Sequence, residues 1–370
     1  PILLGSSFAE AKIETSLHPV RWAVALAVAV PLVVAVAFLF ARLSGNAELA
    51  RSSLRGLRIV IVAELALLIV AAVLGVNYEQ RAQKHDAESL HPPGRLVDIG
   101  GFRLHLYCVG TGGPTVLLEH GHQSTYLDWY RVQPQLAKFT RVCSYDRAGY
   151  GWSDQSPNAR VPSVMADELH KLLAAAGEKP PYILVGHSFG GYDALMFAHK
   201  FPAEVAGVVL VDSPHPDAFQ PASRRSHLWL RVMQFTMPFG LPRWRGWCGG
   251  GPLETAAEKE VLNCRSTFYE TIIRENRGMA RAAVEMHSIK TLGDLPLVVI
   301  ARDPAMGQDT QAEARHNEEE REFTKLSPNS RFIVAERSAH DIPLARPDVI
   351  VEAVRSLLKS QGQAGSRETP

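Results

Sequence analysis

An excess of charge of either sign is missing from this chain. Its 370 residues carry 39 Lys and Arg against 38 Asp and Glu, a formal net charge of +1. Nothing in that balance implies a nucleic-acid surface or an acidic partner. A phosphate-binding glycine motif is missing too, since Gly249-Gly250-Gly251 follows no predicted strand and lacks the Lys-Ser/Thr ending of such loops. No set of residues has metal-ligand spacing. His120 and His122 stand two apart with no third ligand in register, so neither a metal nor another cofactor is expected. Internal repeats are absent, and cysteine is scarce, at 4 residues.

What is present is unevenly placed. Two long apolar runs lie near the N-terminus, Val20 to Leu43 and Leu57 to Val76. Each has about the twenty residues a helix needs to cross a bilayer. Neither shows the polar face of a helix lying on a soluble core, and the first starts late and lacks a clear signal-cleavage site. The pattern predicts two transmembrane helices, with Pro31 kinking the first and Glu64 a lone acid in the second. Arg42, Arg51, Arg55 and Arg58 crowd the loop between them against Glu48 alone. Lys12 and Arg21 precede the pair, and Arg81 and Lys84 follow it. The positive-inside rule therefore puts the short loop in the cytoplasm and everything after Asn77 outside, although Arg21 pulls the other way. The expectation is a multi-pass membrane protein, anchored through residues 1–78, with its main domain on the extracytoplasmic side.

Residues 79–94, polar and ending in Pro92-Pro93-Gly94, read as a linker. Residues 95–361 alternate strands and helices as an α/β domain does. Strands are predicted over Arg95–Ile99, Phe102–Val109, Thr115–Glu119, Val142–Tyr145, Ile183–Val185, Val205–Asp212, Leu297–Ile300 and Arg331–Ala335. Helices are predicted over about Thr125–Phe139, Ser163–Ala176, Gly191–Lys200, Thr310–Leu326 and Pro347–Lys359. Residues 213–294, with Trp229, Trp244 and Trp247, read as an inserted lid whose tryptophans either pack its own core or roof an apolar substrate. Residues 362–370 form a polar tail expected to be disordered.

Gly186-His187-Ser188-Phe189-Gly190 ends the apolar run Tyr182–Val185 and opens a helix. Strand, sharp turn and helix are the context a G-x-S-x-G nucleophile elbow requires. The glycines permit the tight turn, and the helix N-terminus faces charge developing on a substrate oxygen. A serine hydroxyl is a poor nucleophile at neutral pH and needs an adjacent base.

Four features in order carry a resemblance: His120-Gly121 after a strand; Asp146-Arg147-Ala148-Gly149-Tyr150-Gly151-Trp152-Ser153; Gly186-His187-Ser188-Phe189-Gly190-Gly191; and Ser338-Ala339-His340-Asp341-Ile342-Pro343. From about Arg95 onward the chain resembles the α/β-hydrolase fold family, in its esterase-like serine hydrolase branch. The resemblance implies a mostly parallel sheet with flanking helices and an inserted helical lid. It makes Ser188 the nucleophile and His340 its base. It leaves the carboxylate open: Asp303 is preferred, Asp212 is the alternative and Asp309 a third candidate. The backbone amides of Phe189 and His122 would form the oxyanion hole, and Asp146 to Ser153 would be structural. In that fold the strands of Cys108 and Cys143 are neighbours, so those two can bridge, as can Cys248 with Cys264; four buried free thiols are the other possibility.

The function these features imply is a membrane-anchored serine hydrolase cleaving a carboxylic ester through an acyl-enzyme, with a small-molecule ester or acyl substrate, the bilayer as its partner, and no nucleic acid. Serine at the elbow, where the family's dehalogenases and epoxide hydrolases use aspartate, argues against alkyl-enzyme chemistry. The alternatives are a lipase or thioesterase acting on acyl chains at the membrane, and a non-catalytic ligand-binding protein or sensor on the same fold.

Overall fold

A computed structural model describes residues 47–218 and 223–365, with isolated positions between 36 and 43. The predicted first transmembrane run lies almost wholly outside the described residues, as do residues 366–370 of the tail. The chain divides into two units, residues 1–80 and 81–370.

The first unit is helical where it is described. Helix α1, Ala47–Ser89, contains the second apolar run. Its portion Leu54–Ser89 is long and apolar enough to cross a membrane. Leu65, Leu67, Leu68, Ile69 and Val70 are consecutive or nearly so, and all are exposed, the signature of a helix apolar around its whole circumference. The helix also runs on through residues 79–89, which the sequence pattern assigns to a linker. The reason is local: Glu79-Gln80-Arg81-Ala82-Gln83-Lys84 are good helix formers, and no proline intervenes before Pro92.

The second unit is built on one eight-stranded sheet in the order β1-β2-β4-β3-β5-β6-β7-β8. The strands are β1 Arg95–Asp98, β2 Arg103–Val109, β3 Thr115–Glu119, β4 Val142–Tyr145, β5 Tyr182–His187, β6 Val205–Val211, β7 Leu297–Arg302 and β8 Ser330–Ala335. The β1–β2 and β2–β4 pairs are antiparallel, and the other pairs are parallel. Every residue of β3, β5, β6 and β7 is buried, as expected for parallel strands covered on both faces. Alternate residues feed two cores. Tyr182 and Leu184 of β5 face one with Leu195 and Phe197, while Ile183 and Val185 face the other with Val354 and Leu357.

The first core lies under α2 (Pro162–Ala176) and α3 (Gly190–Lys200). The second includes residues of the last helix, Pro347–Gly365. The helix predicted over Thr125–Phe139 is a 3-10 turn, Tyr126–Trp129, and a short helix, Gln133–Leu136. Thr125 caps the first and Pro134 opens the second, so the two cannot merge into one continuous helix. Between β6 and β7 lie α4 Arg224–Thr236, α5 Leu253–Asn263 and α6 Ser266–Ser288. Helices α4 and α6, with Met237 just past α4, share a small core of Leu230, Met233, Met237, Phe268 and Ile272. The cysteines are paired as Cys108–Cys143 and Cys248–Cys264, and the first pair sits directly opposite across the β2–β4 ladder. Helices α7, Thr310–Arg321, and α8, Pro347–Gly365, complete the unit.

Candidate active site

The candidate residues gather at the carboxyl ends of β3, β5, β6 and β8, the edge where open α/β sheets bind ligands. Ser188 follows β5 with φ +53°. Its amide donates to the Val211 carbonyl at 2.9 Å, and its own carbonyl accepts from the Gly191 amide at 3.0 Å. The turn is tight enough to demand glycine on both sides. A Cβ on Gly186 would lie 2.4 Å from the Gly190 oxygen, and one on Gly191 would lie 2.0 Å from Ser213 Oγ. Gln123 (φ +59°) and Asp212 (φ +48°) are also non-glycine residues in the left-handed region. Such strain persists only where surrounding packing enforces it, and it gathers at functional sites.

His340 turns Nδ1 onto Asp212 Oδ2. Nε2 is left without a protein partner among the described residues, and it is the nitrogen that would serve a nucleophile. The His187 ring links the elbow to this histidine: its Nε2 donates to the His340 carbonyl at 3.0 Å, and the two ring centroids are 4.8 Å apart. Ser188 is the next residue in the chain. Among the described residues no hydrogen bond joins Ser188 Oγ to the His340 ring, which is common in an apo serine–histidine pair.

Of the two candidate aspartates, the structure brings Asp212 and not Asp303 to His340. Asp303 is half-buried, caps a 3-10 turn through the Ala305 amide at 2.9 Å, and receives the Arg337 amide at 2.8 Å. Those two backbone donors hold its carboxyl below the usual range. Asp212, fully buried at the end of β6, is the residue that meets His340. Both aspartates come one residue after their strands; the turn after β7 spends the Asp303 carboxylate on the Ala305 and Arg337 amides, while the turn after β6 aims Asp212 at His340. Asp309 caps α7 instead, through the amides of Gln311 and Ala312.

A residue the sequence pattern did not single out fixes the acid. Arg302 donates through Nε to Asp212 Oδ1 at 2.8 Å, lies with Nη2 2.7 Å from Oδ2, and adds its backbone amide at 3.2 Å. Burial alone would raise the Asp212 carboxyl; His340 and Arg302 overcome it and hold the group well below the ordinary range. Behind Arg302 stand Glu313 at 3.2 Å and His316 at 3.0 Å. Burial, with Arg302 adding to it, pushes His316 down to about 4. Asp212, His316 and Glu320 converge closely enough to suggest cation ligands, but the Arg302 guanidinium already supplies the positive charge they face. The other such convergence, Cys108, Cys143 and Glu178, has both sulfurs tied in a disulfide.

The loop after β3 lies against Ser188. A Cβ on Gly121 would approach Ser188 Cβ to 3.3 Å. Arg147 grips this loop from behind, donating to the carbonyls of His120 and, at 2.8 Å, Gly121. That grip fixes where the next amide, His122, is presented. Phe189 stands at the N-terminal turn of α3, where a helix leaves its amides free. The His122 and Phe189 rings are 6.2 Å apart. His122 Nδ1 bonds Glu275 Oε2 of α6 at 2.7 Å, and Tyr150 donates to the same oxygen at 2.7 Å. Arg147 lies 3.3 Å from the other Glu275 oxygen. Burial opposes the charge on Glu275, and Arg147, followed by His122, outweighs it and keeps the group ionised. The sequence pattern makes Asp146 to Ser153 structural but carries no signal that Arg147 joins the loop to the lid. Asp146 does what that reading expects, receiving the amides of Tyr126 at 2.8 Å and Trp152 at 3.0 Å.

A strand–turn–helix elbow carrying Ser188 after the fifth strand, a histidine after the last strand and an eight-stranded, mostly parallel sheet define the α/β-hydrolase fold. The family model described as alpha/beta hydrolase fold matches residues 114–247. Among curated proteins, the chain is 30% identical over 166 residues to the uncharacterized protein YbdG of Bacillus subtilis (strain 168), covering 44% of this chain and 51% of that one. It is 27% identical over 292 residues to an uncharacterized protein of Schizosaccharomyces pombe (strain 972 / ATCC 24843), covering 70% of this chain and 54% of that one. The chain thus spans about half the length of these relatives. Among solved structures it resembles a thermophilic esterase from Thermogutta terrifontis, with a TM-score of 0.53 and 23% identity over 70% of this chain and 94% of that one. At that identity the likeness speaks for the fold.

Proposed function

We propose that the chain is a membrane-anchored serine hydrolase that cleaves carboxylic esters through an acyl-enzyme. The observation that carries this reading is the Asp212–His340 pair set beside a left-handed Ser188 at a nucleophile elbow. In the proposed cycle, Ser188 Oγ attacks the acyl carbon while its proton passes to His340 Nε2. The resulting imidazolium is stabilised by the Asp212 carboxylate, and the amides of Phe189 and His122 receive the oxyanion. The C–O bond to the alcohol then breaks as His340 returns the proton to the leaving oxygen. Water, deprotonated by the same histidine, releases the acid and restores the serine. The anchor is assigned to the apolar part of α1, supported by its length and its exposed apolar circumference.

The test is covalent labelling of the full chain with a fluorophosphonate, which phosphonylates an activated serine. Labelling of wild type that disappears in Ser188→Ala is the expected result. Absence of labelling in folded wild type overturns the proposal in favour of a binding protein.

A further inference from the structure

The lid carries a surface that catalysis does not explain. Helix α4 buries Leu230, Met233 and, just past its end, Met237 on one side. Its opposite side presents Leu228, Val232 and Phe235 at i, i+4 and i+7, with Trp229 adjoining. Phe235 is 72% exposed and Leu228 66%. In the turn that follows, Trp244 is 66% exposed. A soluble face does not normally gather large apolar groups along one stripe.

The charge around that stripe has one sign. Residues 223–252 contain Arg224, Arg225, Arg231, Arg243 and Arg245 and no Asp or Glu. At 100° per residue, Arg224 and Arg231 fall on one flank of the stripe and Arg225 on the other, and all three are exposed. An apolar ridge with tryptophan and phenylalanine, bordered by arginines, is the composition of an element lying in the headgroup region of an anionic bilayer. Chain connectivity points the same way. Arg243, adjacent to Trp244, pairs with Asp86 at 2.8 Å. Asp86 follows the end of the apolar run, Val76, by only ten residues, which even fully stretched span at most about 35 Å.

We infer that the outer face of α4, with Trp244, docks on the surface of an anionic lipid bilayer. The inference rests on the anchored reading above and adds a second, peripheral contact that places the lid at the membrane surface. Phe235, Leu228 and Val232 enter the acyl boundary, and Arg224, Arg225 and Arg231 take the lipid phosphates. A second copy of the chain and a protein partner are the competing occupants.

The experiment uses the full chain reconstituted into vesicles. Both native cysteine pairs are bridged, so Phe235→Cys supplies a single free thiol for an environment-sensitive fluorophore. Glu352→Cys, an exposed polar position on α8, is the reference. Quenching by spin-labelled lipid is expected to be at least about threefold stronger at 235 than at 352 in vesicles containing phosphatidylglycerol. It should fall by at least about half when Arg224, Arg225 and Arg231 are changed to Gln, since each basic residue at such a surface is worth about fivefold in binding. Flotation of the same samples separates the two readings. Protein that floats while the 235 label stays unquenched overturns the docking face alone. Protein that does not float overturns the anchor and the docking face together. A 235 label that is shielded from water but unreached by lipid quencher assigns the face to a protein occupant and also overturns the inference.

Discussion

Changing Asp212 to Asn should separate the two aspartates cleanly. In the folded protein this carboxylate receives His340 Nδ1 and three donors of Arg302, and it is fully buried. The amide keeps the shape but removes the charge that steadies an imidazolium. In other proteins with a Ser-His-Asp triad that loss is about 10⁴-fold in kcat, or about 5 kcal/mol of transition-state stabilisation. The same change strips Arg302 of its main counter-charge. Breaking a buried pair costs about 3–5 kcal/mol, and the lower end applies because Glu313 still lies 3.2 Å away. Asp303→Asn keeps an accepting oxygen for the cap, since Asn and Asp cap alike, gives up only the contact with the Arg337 amide, and should leave kcat near wild type. The assay is hydrolysis of a short p-nitrophenyl ester by the full chain in detergent, with thermal unfolding measured alongside. If Asp303→Asn falls as far as Asp212→Asn, or if Asp212→Asn keeps wild-type activity, the assignment of the acid is wrong. The pH behaviour follows the same logic. Because the Asp212 carboxyl is held low, its pairing is intact above the ordinary carboxylate range and fades as pH falls through the folded value; Asp212→Asn abolishes that component.

Three further outcomes are expected. Arg302 holds the Asp212 carboxylate through Nε and Nη2, so Arg302→Met should lower kcat/KM for the p-nitrophenyl ester by about tenfold, the loss of one charge-assisted hydrogen bond of about 1.5 kcal/mol, and Arg302→Lys should restore part of it. His120 is pushed by burial from 6.5 down to about 4, so as pH drops through that window the unfolded chain takes up a proton that the folded one refuses. At about 1.4 kcal/mol per unit, wild type should lose about 3 kcal/mol more than His120→Asn between those pH values, read by denaturant titration. Replacing Cys248 and Cys264 by Ala opens a loop of 16 residues, and the midpoint of unfolding should fall by an amount equivalent to about 3 kcal/mol.

The parts of the site that were legible in sequence are those whose geometry is enforced within a few residues. The elbow announces itself because a Cβ at 186 or 191 would overlap its neighbours, so the motif is its own steric requirement. The strands announce themselves because parallel strands buried on both faces are unbroken apolar runs. The acid is different in kind. Asp212 and Asp303 both follow strands and both lie between nucleophile and histidine in the chain, and only the direction of the turn after each strand decides which carboxylate faces inward. That direction is set by packing among strands and helices far apart in the chain. His122 and Glu275 stand 153 residues apart, and neither carries a local signal of the other. Arg302 likewise carries no local signal of the residue it serves. Beside Asp303 it looks like a local ion pair, yet its partner lies 90 residues earlier in the chain. Burial opposes the ionised Asp212 carboxylate, and in this chain Arg302 joins His340 in offsetting that desolvation.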